Sequence, residues 1–510
     1  MKKMLSLMIT LCMLLLILPL QTAAAEAPED AAKEAADAAE RYDQAVALFN
    51  GEKYEAAFPM IEEMAEEGIP EAITLLGYAY GSGLGTEQNE EEMLKYYRMA
   101  AELGEPMAIF NLGCCYRDGL GVEQNEEEMI RLFERAADMG NADAQYNLGY
   151  CYHMGDGVDQ DYEKAFALFQ QAADQGFPHA MFALGDYYFL GNSVKQDTDT
   201  AVEWYRKALA VGYVPDETDL EHLKTCADNG NPEAQNELGK CYGMGIGAVQ
   251  DAKEAYRYFR MAADQGFAKS QYNLGNYYLY GFGVEQDSEK AVEYLQLAAD
   301  QGLSNAQGLL GYLYENGFGV EADPEKAVEY YQAAADQGDA HAQNNLGNCY
   351  FYGRGVEKDI QKGVQYYQLA AQQGEPAALN SLGCCYCDGV GVEQDYEKAL
   401  QYFQAAAEQG NADAIYNIGY GYYHGEGVEA DYDTAMEYFR TAAEMGQSDA
   451  MFLIGESYYE GKGSEKDPDQ AAEWYLKALR AGYVPDEQDQ KHLSDLFAEL
   501  YKLKLDFSAA

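Results

Sequence analysis

A 36-residue period runs through almost the whole chain and constrains the fold more than any other feature of the sequence. A Leu-Gly or Ile-Gly pair marks each copy, and we call its glycine the marker glycine. Nine of the ten intervals between markers are 36 residues long, and the interval from Gly185 to Gly239 is 54. Such a period indicates a repeat architecture in which each unit packs on its neighbours. The markers are Gly77, Gly113, Gly149, Gly185, Gly239, Gly275, Gly311, Gly347, Gly383, Gly419 and Gly455.

Each period predicts two helices. In the third copy, Ala144, Leu148 and Tyr152 recur at helical spacing around the marker, which predicts a first helix, helix A. Asp161 stands twelve residues after the marker, where every copy has Asn or Asp, and these residues cap helix N-termini. Helix B follows and ends at Gly176, as expected of a C-terminal glycine. Because a glycine inside a helix costs about 1 kcal/mol, the marker predicts close approach of a neighbouring helix.

These columns together resemble the Sel-one-like repeat (SLR) family, relatives of the tetratricopeptide repeat. The shared pattern covers roughly residues 71–482 and reads A-x-x-x-L-G-x-x-Y-x-x-G-x-G-V-x-x-D-x-x-K-A-x-x-x-Y/F-x-x-A-A-x-x-G. The resemblance implies an all-α fold, an α/α superhelical solenoid of tandem helix-turn-helix repeats whose A helices line a concave groove. It also implies adaptor or scaffold work rather than chemistry.

The long interval predicts that the array consists of two blocks. Residues 203–224 have a close copy at 473–494, and both copies contain the sequence GYVPDE. The second copy follows the last repeat, so we expect each copy to close a block with a capping helix. The predicted organisation is a signal peptide at 1–25 and N-terminal capping helices at 26–70. A first block of four repeats occupies 71–230, and a second block of seven repeats occupies 231–510.

The N-terminus has the pattern of a secretory signal. Lys2 and Lys3 precede an apolar run from residue 4 to 20, and Ala23 and Ala25 form an A-x-A cleavage site before Glu26. The alternative is an uncleaved anchor, but a spanning helix needs about 20 apolar residues and this run is slightly shorter. We therefore predict an exported protein with no membrane span after signal cleavage.

The chain is strongly acidic, with 87 Asp and Glu residues against 34 Lys and Arg and a net charge of −53. Nucleic acid and anionic lipid surfaces need basic patches, so neither is an expected partner. The acidity has two interpretations. It solvates the exposed helix faces, or it favours a basic partner.

No catalytic residues, metal ligands or cofactor are predicted. The six histidines lack the spacing of a metal pair, and the G-x-G loops follow no predicted strand and lack the lysine of a phosphate-binding loop. The EF-hand calcium pattern is absent, so the Asn/Asp column is better explained by helix capping than by calcium. A cysteine-rich branch of the SLR family is associated with penicillin binding and weak β-lactam hydrolysis. The resemblance thus leaves a binder or slow hydrolase of cell-wall-like ligands as an alternative, although no S-x-x-K motif is present.

Nine of the ten cysteines follow the predicted signal peptide. Five of them share the position two residues after a marker, and we interpret these as buried free thiols. Cys384 and Cys387 form a C-x-x-C motif on helix A, for which a redox pair or a metal site is the alternative.

If the chain follows its relatives, the groove is lined by the helix-A positions six and three residues before the marker and one and four after it. Three of these columns are rich in aromatic residues, which suit an extended peptide or a basic segment. The alternative is that the rings only pack on one another. We therefore expect an exported bacterial scaffold that binds a protein or peptide through this surface, with no oligomeric state implied. The candidate residues are Tyr78, Phe110, Tyr146, Tyr150, Phe182, Phe189, Tyr272, Tyr312, Phe351, Tyr416, Tyr420, Tyr423, Phe452 and Tyr459.

Overall fold

The computed structural model describes residues 29–487, 489–491, 493, 494 and 496, so the predicted signal peptide lies outside the described residues. All regular elements among the described residues are α-helices, with twenty-five complete helices and further helical residues between 487 and 496. Their bounds are α1 Glu29–Asn50, α2 Tyr54–Glu66, α3 Pro70–Ser82, α4 Glu90–Glu102, α5 Pro106–Asp118, α6 Glu126–Asp138, α7 Ala142–Met154, α8 Tyr162–Asp174, α9 Pro178–Leu190, α10 Thr198–Ala210, α11 Glu217–Asp228, α12 Pro232–Met244, α13 Ala252–Ala263, α14 Ala268–Tyr280, α15 Ser288–Asp300, α16 Ser304–Asn316, α17 Pro324–Ala335, α18 Ala340–Tyr352, α19 Ile360–Gln372, α20 Pro376–Asp388, α21 Tyr396–Ala407, α22 Ala412–His424, α23 Tyr432–Glu444, α24 Ser448–Glu460 and α25 Pro468–Arg480.

The predicted helix A and helix B are present in every repeat, and their ends follow the predicted chemistry. In the eighth repeat, helix A ends at Gly353, whose left-handed backbone (φ 76°) lets its N–H bond to the carbonyl of Cys349. Asp359 then begins helix B in an extended conformation, and its carboxylate accepts a hydrogen bond from the N–H of Lys362 at 3.0 Å. The all-α repeat fold is therefore confirmed, and its boundaries are set by local capping.

The marker glycine lies where helix A touches helix B of the same repeat. In the tenth repeat, a Cβ on Gly419 of α22 would lie 2.8 and 2.9 Å from ring carbons of Phe439 in α23. Phe439 is fully buried, so its ring has little room to move. Only glycine permits this approach, which confirms the packing reason inferred for its recurrence.

The tyrosine three residues after each marker takes part in a stacked arrangement in many repeats. In the eighth repeat, the rings of Tyr350 and Tyr366 are parallel within 8° at 5.8 Å, and the ammonium group of Lys362 lies 3.9 Å from the centre of the Tyr350 ring. Tyr314 and Tyr330 stack in the same way at 5.6 Å. A cation over such a ring contributes about 0.5–1 kcal/mol at an exposed site. This tyrosine column therefore joins helix A to helix B and is structural.

The two GYVPDE segments fold alike. In the first, the hydroxyl of Tyr213 donates to Asp219 at 2.6 Å, and Asp216 and Asp219 form a reciprocal capping box at the start of α11. In the second, Tyr483 donates to Asp489 at 2.6 Å in the same way. The sequence copy is therefore also a structural copy over the part that the structure describes.

The helices form two compact units, which divide between Gln250 and Asp251. Within each unit, consecutive helices pack on one another along the chain. The predicted division into blocks at residues 71–230 and 231–510 stays a prediction. None of the described helices combines the length and apolar character that crossing a membrane requires.

Candidate binding surface and cavity

The fourteen aromatic residues predicted to line the groove lie at three depths. Three are exposed, namely Tyr150, Tyr312 and Tyr420 at 48%, 46% and 36% of their surface. Four are buried, namely Phe110, Phe182, Tyr423 and Phe452. The remaining seven are half-buried, namely Tyr78, Tyr146, Phe189, Tyr272, Phe351, Tyr416 and Tyr459. The exposed three can meet a partner without the displacement of packed side chains.

Two of the buried rings are covered by the GYVPDE segments. The ring of Phe182 lies 4.3 Å from that of Tyr205 on helix B and 4.7 Å from that of Tyr213. The ring of Phe452 stacks on that of Tyr483 at 4.2 Å. Both phenylalanines lie three residues before the marker of the repeat that precedes a GYVPDE segment. Tyr213 and Tyr483 therefore make the same aromatic contact with the A helix that precedes each segment.

The other two buried rings pack against helix B of their own repeat. Phe110 lies 5.4 Å from Phe133, which is fully buried. Tyr423 lies 5.2 Å from Tyr432 and 6.0 Å from Phe439. These contacts place both rings in the core between the paired helices.

Most of the half-buried residues that contact another aromatic ring contact one that belongs to the core. Phe351 lies 5.8 Å from the buried ring of Tyr367, and Phe189 lies 4.7 Å from His222 of α11. Their exposed edges remain part of the surface, and their role as partner contacts stays a prediction.

The exposed tyrosines all stand one residue after a marker, on the A helices α7, α16 and α22. We call Tyr150, Tyr312 and Tyr420 the exposed A-helix tyrosines. Each has an aromatic neighbour. Tyr312 lies 5.9 Å from Phe318, which is 48% exposed, and Tyr420 lies 4.2 Å from His424. This column therefore presents paired rings to solvent.

A cavity of about 370 Å³ lies beside Tyr420, between helices α20, α21 and α22. We call it the ninth-repeat cavity. Its apolar lining includes Leu400 and the buried Phe403 of α21, and Tyr416 and Tyr420 of α22 supply two further rings, 6.1 Å apart. The cavity thus contains two of the predicted groove residues.

The polar side of the ninth-repeat cavity carries Cys384, Cys387, Asp388, Asn417 and Glu426. The thiol of Cys387 donates to Glu426 at 3.7 Å, and burial together with that carboxylate raises the pKa of Cys387 to about 12. Burial raises the pKa of Cys384 to about 11, and Asn417 donates to its sulfur at 3.7 Å. Both groups therefore remain protonated thiols at neutral pH and are poor nucleophiles. The arrangement suits binding better than attack.

The cavity exists because Gly421 has no side chain. Gly421 stands two residues after its marker, and it is the only glycine in that column. The equivalent residue of the fourth repeat is Tyr187, which is buried and fills the corresponding space. Its ring lies 5.6 Å from Phe169, and its hydroxyl is hydrogen-bonded to His153 at 2.9 Å. Sequence analysis noted Cys384 and Cys387 but missed Gly421, although its departure from the column was visible.

Other reactive side chains have structural contacts. His222 is hydrogen-bonded to Asp186 at 2.7 Å, whereas His492 lies outside the described residues. The nine described cysteines are free thiols, and seven of them are buried. In the part of the chain that the structure covers, no three His, Cys, Asp or Glu side chains are grouped to hold a metal ion.

Comparisons with known proteins place the repeats in one family. The Sel1 repeat matches residues 70–105, 106–141, 142–177, 178–213, 232–267, 268–303, 304–339, 340–375, 376–411, 412–447 and 448–483. The chain is 32% identical to a protective antigen of uropathogenic Escherichia coli strains that displays an SLR fold, over 86% of this chain and 93% of that one, with a TM-score of 0.49. It is 34% identical to a Sel1 repeat protein of Oxalobacter formigenes, over 44% of this chain and 90% of that one, with a TM-score of 0.43. No curated protein sequence matches it significantly.

The chain therefore belongs to the Sel1 repeat family, as its sequence pattern predicted. The eleven matched segments are the eleven predicted repeats, and residues 214–231, which contain α11, separate the fourth match from the fifth. A repeat solenoid of this kind fits a protein-interaction scaffold, and Sel1 repeat proteins are generally non-catalytic. The alternative of a binder or hydrolase of β-lactam-type ligands has no support.

Proposed function

We propose that this protein is an exported scaffold that binds another protein, or an extended segment of one, through the surface of its A helices. The observation that carries the proposal is the exposure of Tyr150, Tyr312 and Tyr420 on the A helices of a Sel1 repeat array. Tyrosine offers a large, rigid contact area with a polar tip, and it is enriched among the residues that dominate binding energy. Tyr312 and Tyr420 lie in one compact unit, and these two rings suit contact at intervals along a partner.

The charge of the chain supports a basic partner. The net charge is −53, and 87 acidic residues are spread along the sequence against 34 basic ones. A field of one sign attracts an oppositely charged partner from solution and accelerates encounter, while contacts at the surface fix the register. Raising the salt concentration should therefore slow association more than it speeds dissociation.

The export part of the proposal rests on the N-terminal sequence. Lys2 and Lys3, the apolar run from 4 to 20 and the A-x-A site that ends at Ala25 have the order of a secretory signal. N-terminal sequencing of the protein from its native cells should find Glu26 as the first residue. Recovery of the intact N-terminus from the membrane fraction would favour an uncleaved anchor instead.

The binding surface is tested by photo-crosslinking. A photoreactive phenylalanine analogue replaces Tyr312 or Tyr420 in the full-length protein in its native cells. The matched control places the analogue at Leu369, which is 45% exposed on helix B of the eighth repeat. We expect one protein species, identified by mass spectrometry, to be crosslinked from both tyrosine positions and not from Leu369. Crosslinking of that species from Leu369 alone would place the interface on the B helices and contradict the proposal.

A further inference from the structure

We propose that the ninth-repeat cavity receives one arginine or lysine side chain of the bound segment, an inference that rests on the proposed function and names the chemistry of its partner. The cavity has about 370 Å³ of space, and Tyr420 and Asp388 at its edge are exposed to solvent. A long side chain could therefore enter from the A-helix surface without unfolding a repeat.

The charge of the cavity is uncompensated. Asp388 and Glu426 contribute carboxylates, whereas no Lys, Arg or His lines the space. The carboxylate of Glu426 accepts a hydrogen bond from the neutral thiol of Cys387. Burial first, and then the charges of Glu426 and Asp388, raise the pKa of Tyr420, so both carboxylates act on the edge where the ring lies. A cation at this edge would meet two anionic acceptors.

The remaining lining matches the rest of a basic side chain. Leu400 and Phe403 present apolar surface, on which the methylene stem of lysine or arginine can lie. Tyr416 and Tyr420 supply aromatic rings that attract a cation, and Asn417 adds a polar amide. A guanidinium group has five N–H donors and can bond to several such acceptors at once.

At least two other repeats fill the equivalent space with a side chain of their own. The equivalent space in the fourth repeat is filled by Tyr187, and the seventh repeat has Leu313, also fully buried, at the same position. Gly421 alone leaves the position empty, since a Cβ there would meet only the carbonyl oxygen of Glu426 within 4 Å, at 3.2 Å. At Gly421, a side chain from a partner can occupy the space that the ring of Tyr187 fills in the fourth repeat.

The test compares two labelled peptides, Gly-Gly-Arg-Gly-Gly and its citrulline analogue, which has the same shape but no charge. Fluorescence anisotropy measures their binding to the full-length protein at physiological salt, where distant charges are screened. We expect the arginine peptide to bind at least about tenfold more tightly, because the cation contributes ion-pair and cation–π contacts. Gly421→Leu should remove most of this preference by filling the cavity, as Leu313 does in its own repeat.

A second variant, Asp388→Asn with Glu426→Gln, removes the two charges of the cavity. We expect its affinity for the arginine peptide to fall by on the order of tenfold. The matched control is Glu397→Gln with Glu429→Gln, which removes equal charge from nearby exposed positions outside the cavity. This control should keep the preference for arginine. Equal losses of affinity in the two double variants would show that only the overall charge attracts the peptide. Unchanged binding of the arginine peptide by Gly421→Leu would also overturn the inference.

Two further outcomes separate this inference from the proposed function. Crosslinking of a partner at Tyr312 without any preference for arginine over citrulline would refute the cavity site alone. A preference for arginine without any partner at the A-helix surface would refute the partner segment as the occupant and the proposed function with it. Binding of N-acetylarginine amide as tight as that of the peptide would likewise indicate a free small cation and not a segment.

Discussion

Replacing Gly419 and Gly421 separately by alanine gives the sharpest test of how the repeats are held together. Both glycines lie in α22, two residues apart, so each substitution gains the same helix propensity, about 1 kcal/mol. They differ in what the new methyl group meets. At Gly419 the Cβ would lie 2.8 Å from Phe439 and 3.0 Å from the Cβ of Tyr438, whereas at Gly421 it meets one loop carbonyl at 3.2 Å.

The estimated energies predict that the two substitutions change the stability of α22 in opposite directions. Carbon atoms pack best at about 3.5–4.0 Å, so the fully buried ring of Phe439 must move by several tenths of an ångström in Gly419→Ala. Overpacking of this kind costs about 2 kcal/mol, which exceeds the helix gain and leaves a net loss of about 1 kcal/mol. Gly421→Ala should instead stabilise the helix by up to about 1 kcal/mol. The two variants should thus differ by about 2 kcal/mol, or roughly 30-fold in the opening equilibrium.

Hydrogen exchange measured by mass spectrometry on peptides from α22 and α23 is the suitable assay, because it reports local opening in a repeat array that does not unfold as one unit. Exchange should be faster than in the wild type for Gly419→Ala and slower for Gly421→Ala. Peptides from α14 and α15 serve as the internal control and should not change. Slower exchange in Gly419→Ala would refute the conclusion that the marker glycine is required by helix packing.

Three further predictions concern single side chains. Asp323→Ala should destabilise α17 by about 1 kcal/mol, measured by hydrogen exchange, because the N–H of Lys326 loses its hydrogen-bond acceptor. Asp323→Ser supplies another capping oxygen and should retain most of the wild-type stability. Alkylation of Cys384 and Cys387 by iodoacetamide, followed by peptide mass spectrometry, should accelerate about tenfold per pH unit from pH 7 to 10, since their pKa values are about 11 and 12; a plateau below pH 9 would contradict this. The hydrogen bond to Asp186 raises the pKa of His222 in the folded protein. The contribution of His222 to the stability of α11 is therefore fully present below the pKa of histidine in the unfolded chain, and it is lost as the pH rises through the higher pKa of the folded protein. The exchange difference between wild type and His222→Gln should therefore shrink from pH 6 to pH 8.

The helices and their ends could be predicted from the sequence because they depend on local chemistry. A glycine such as Gly353 ends helix A through its own backbone conformation, and Asp359 begins helix B through a bond to an N–H three residues away. Neither effect needs a distant residue. The recurrence of both in all eleven repeats then made the period and the family visible.

Exposure of the aromatic residues could not be predicted from their column. Phe182 and Tyr146 share the position three residues before the marker, yet Phe182 is buried and Tyr146 is half-buried. Phe182 lies 4.3 Å from Tyr205 and 4.7 Å from Tyr213, whereas Tyr146 lies 5.6 and 5.4 Å from Phe169 and Phe177, which occupy the same two repeat positions. Burial of a residue in this column thus depends on how closely the neighbouring rings pack on it.

The ninth-repeat cavity was missed because sequence reasoning looked for residues with chemistry and passed over a missing side chain. The space at Gly421 becomes evident only when the repeats are compared in three dimensions, where Tyr187 shows what fills it in the fourth repeat. Its significance comes from Asp388 and Glu426, which are 38 residues apart in the sequence and are brought to the same cavity by the fold. A search for exceptions within a repeat column would have found the glycine.

The most direct test of the scaffold proposal is the affinity for the partner that crosslinking identifies, measured by calorimetry with purified proteins. Replacing Tyr312 and Tyr420 together by alanine should raise the Kd at least about tenfold, because exposed tyrosines supply a large share of interface energy. Replacing Leu297 and Leu369, which are 48% and 45% exposed on B helices, should leave the Kd within about twofold. An unchanged Kd in the tyrosine variant, with a loss in the leucine variant, would contradict binding through the A helices.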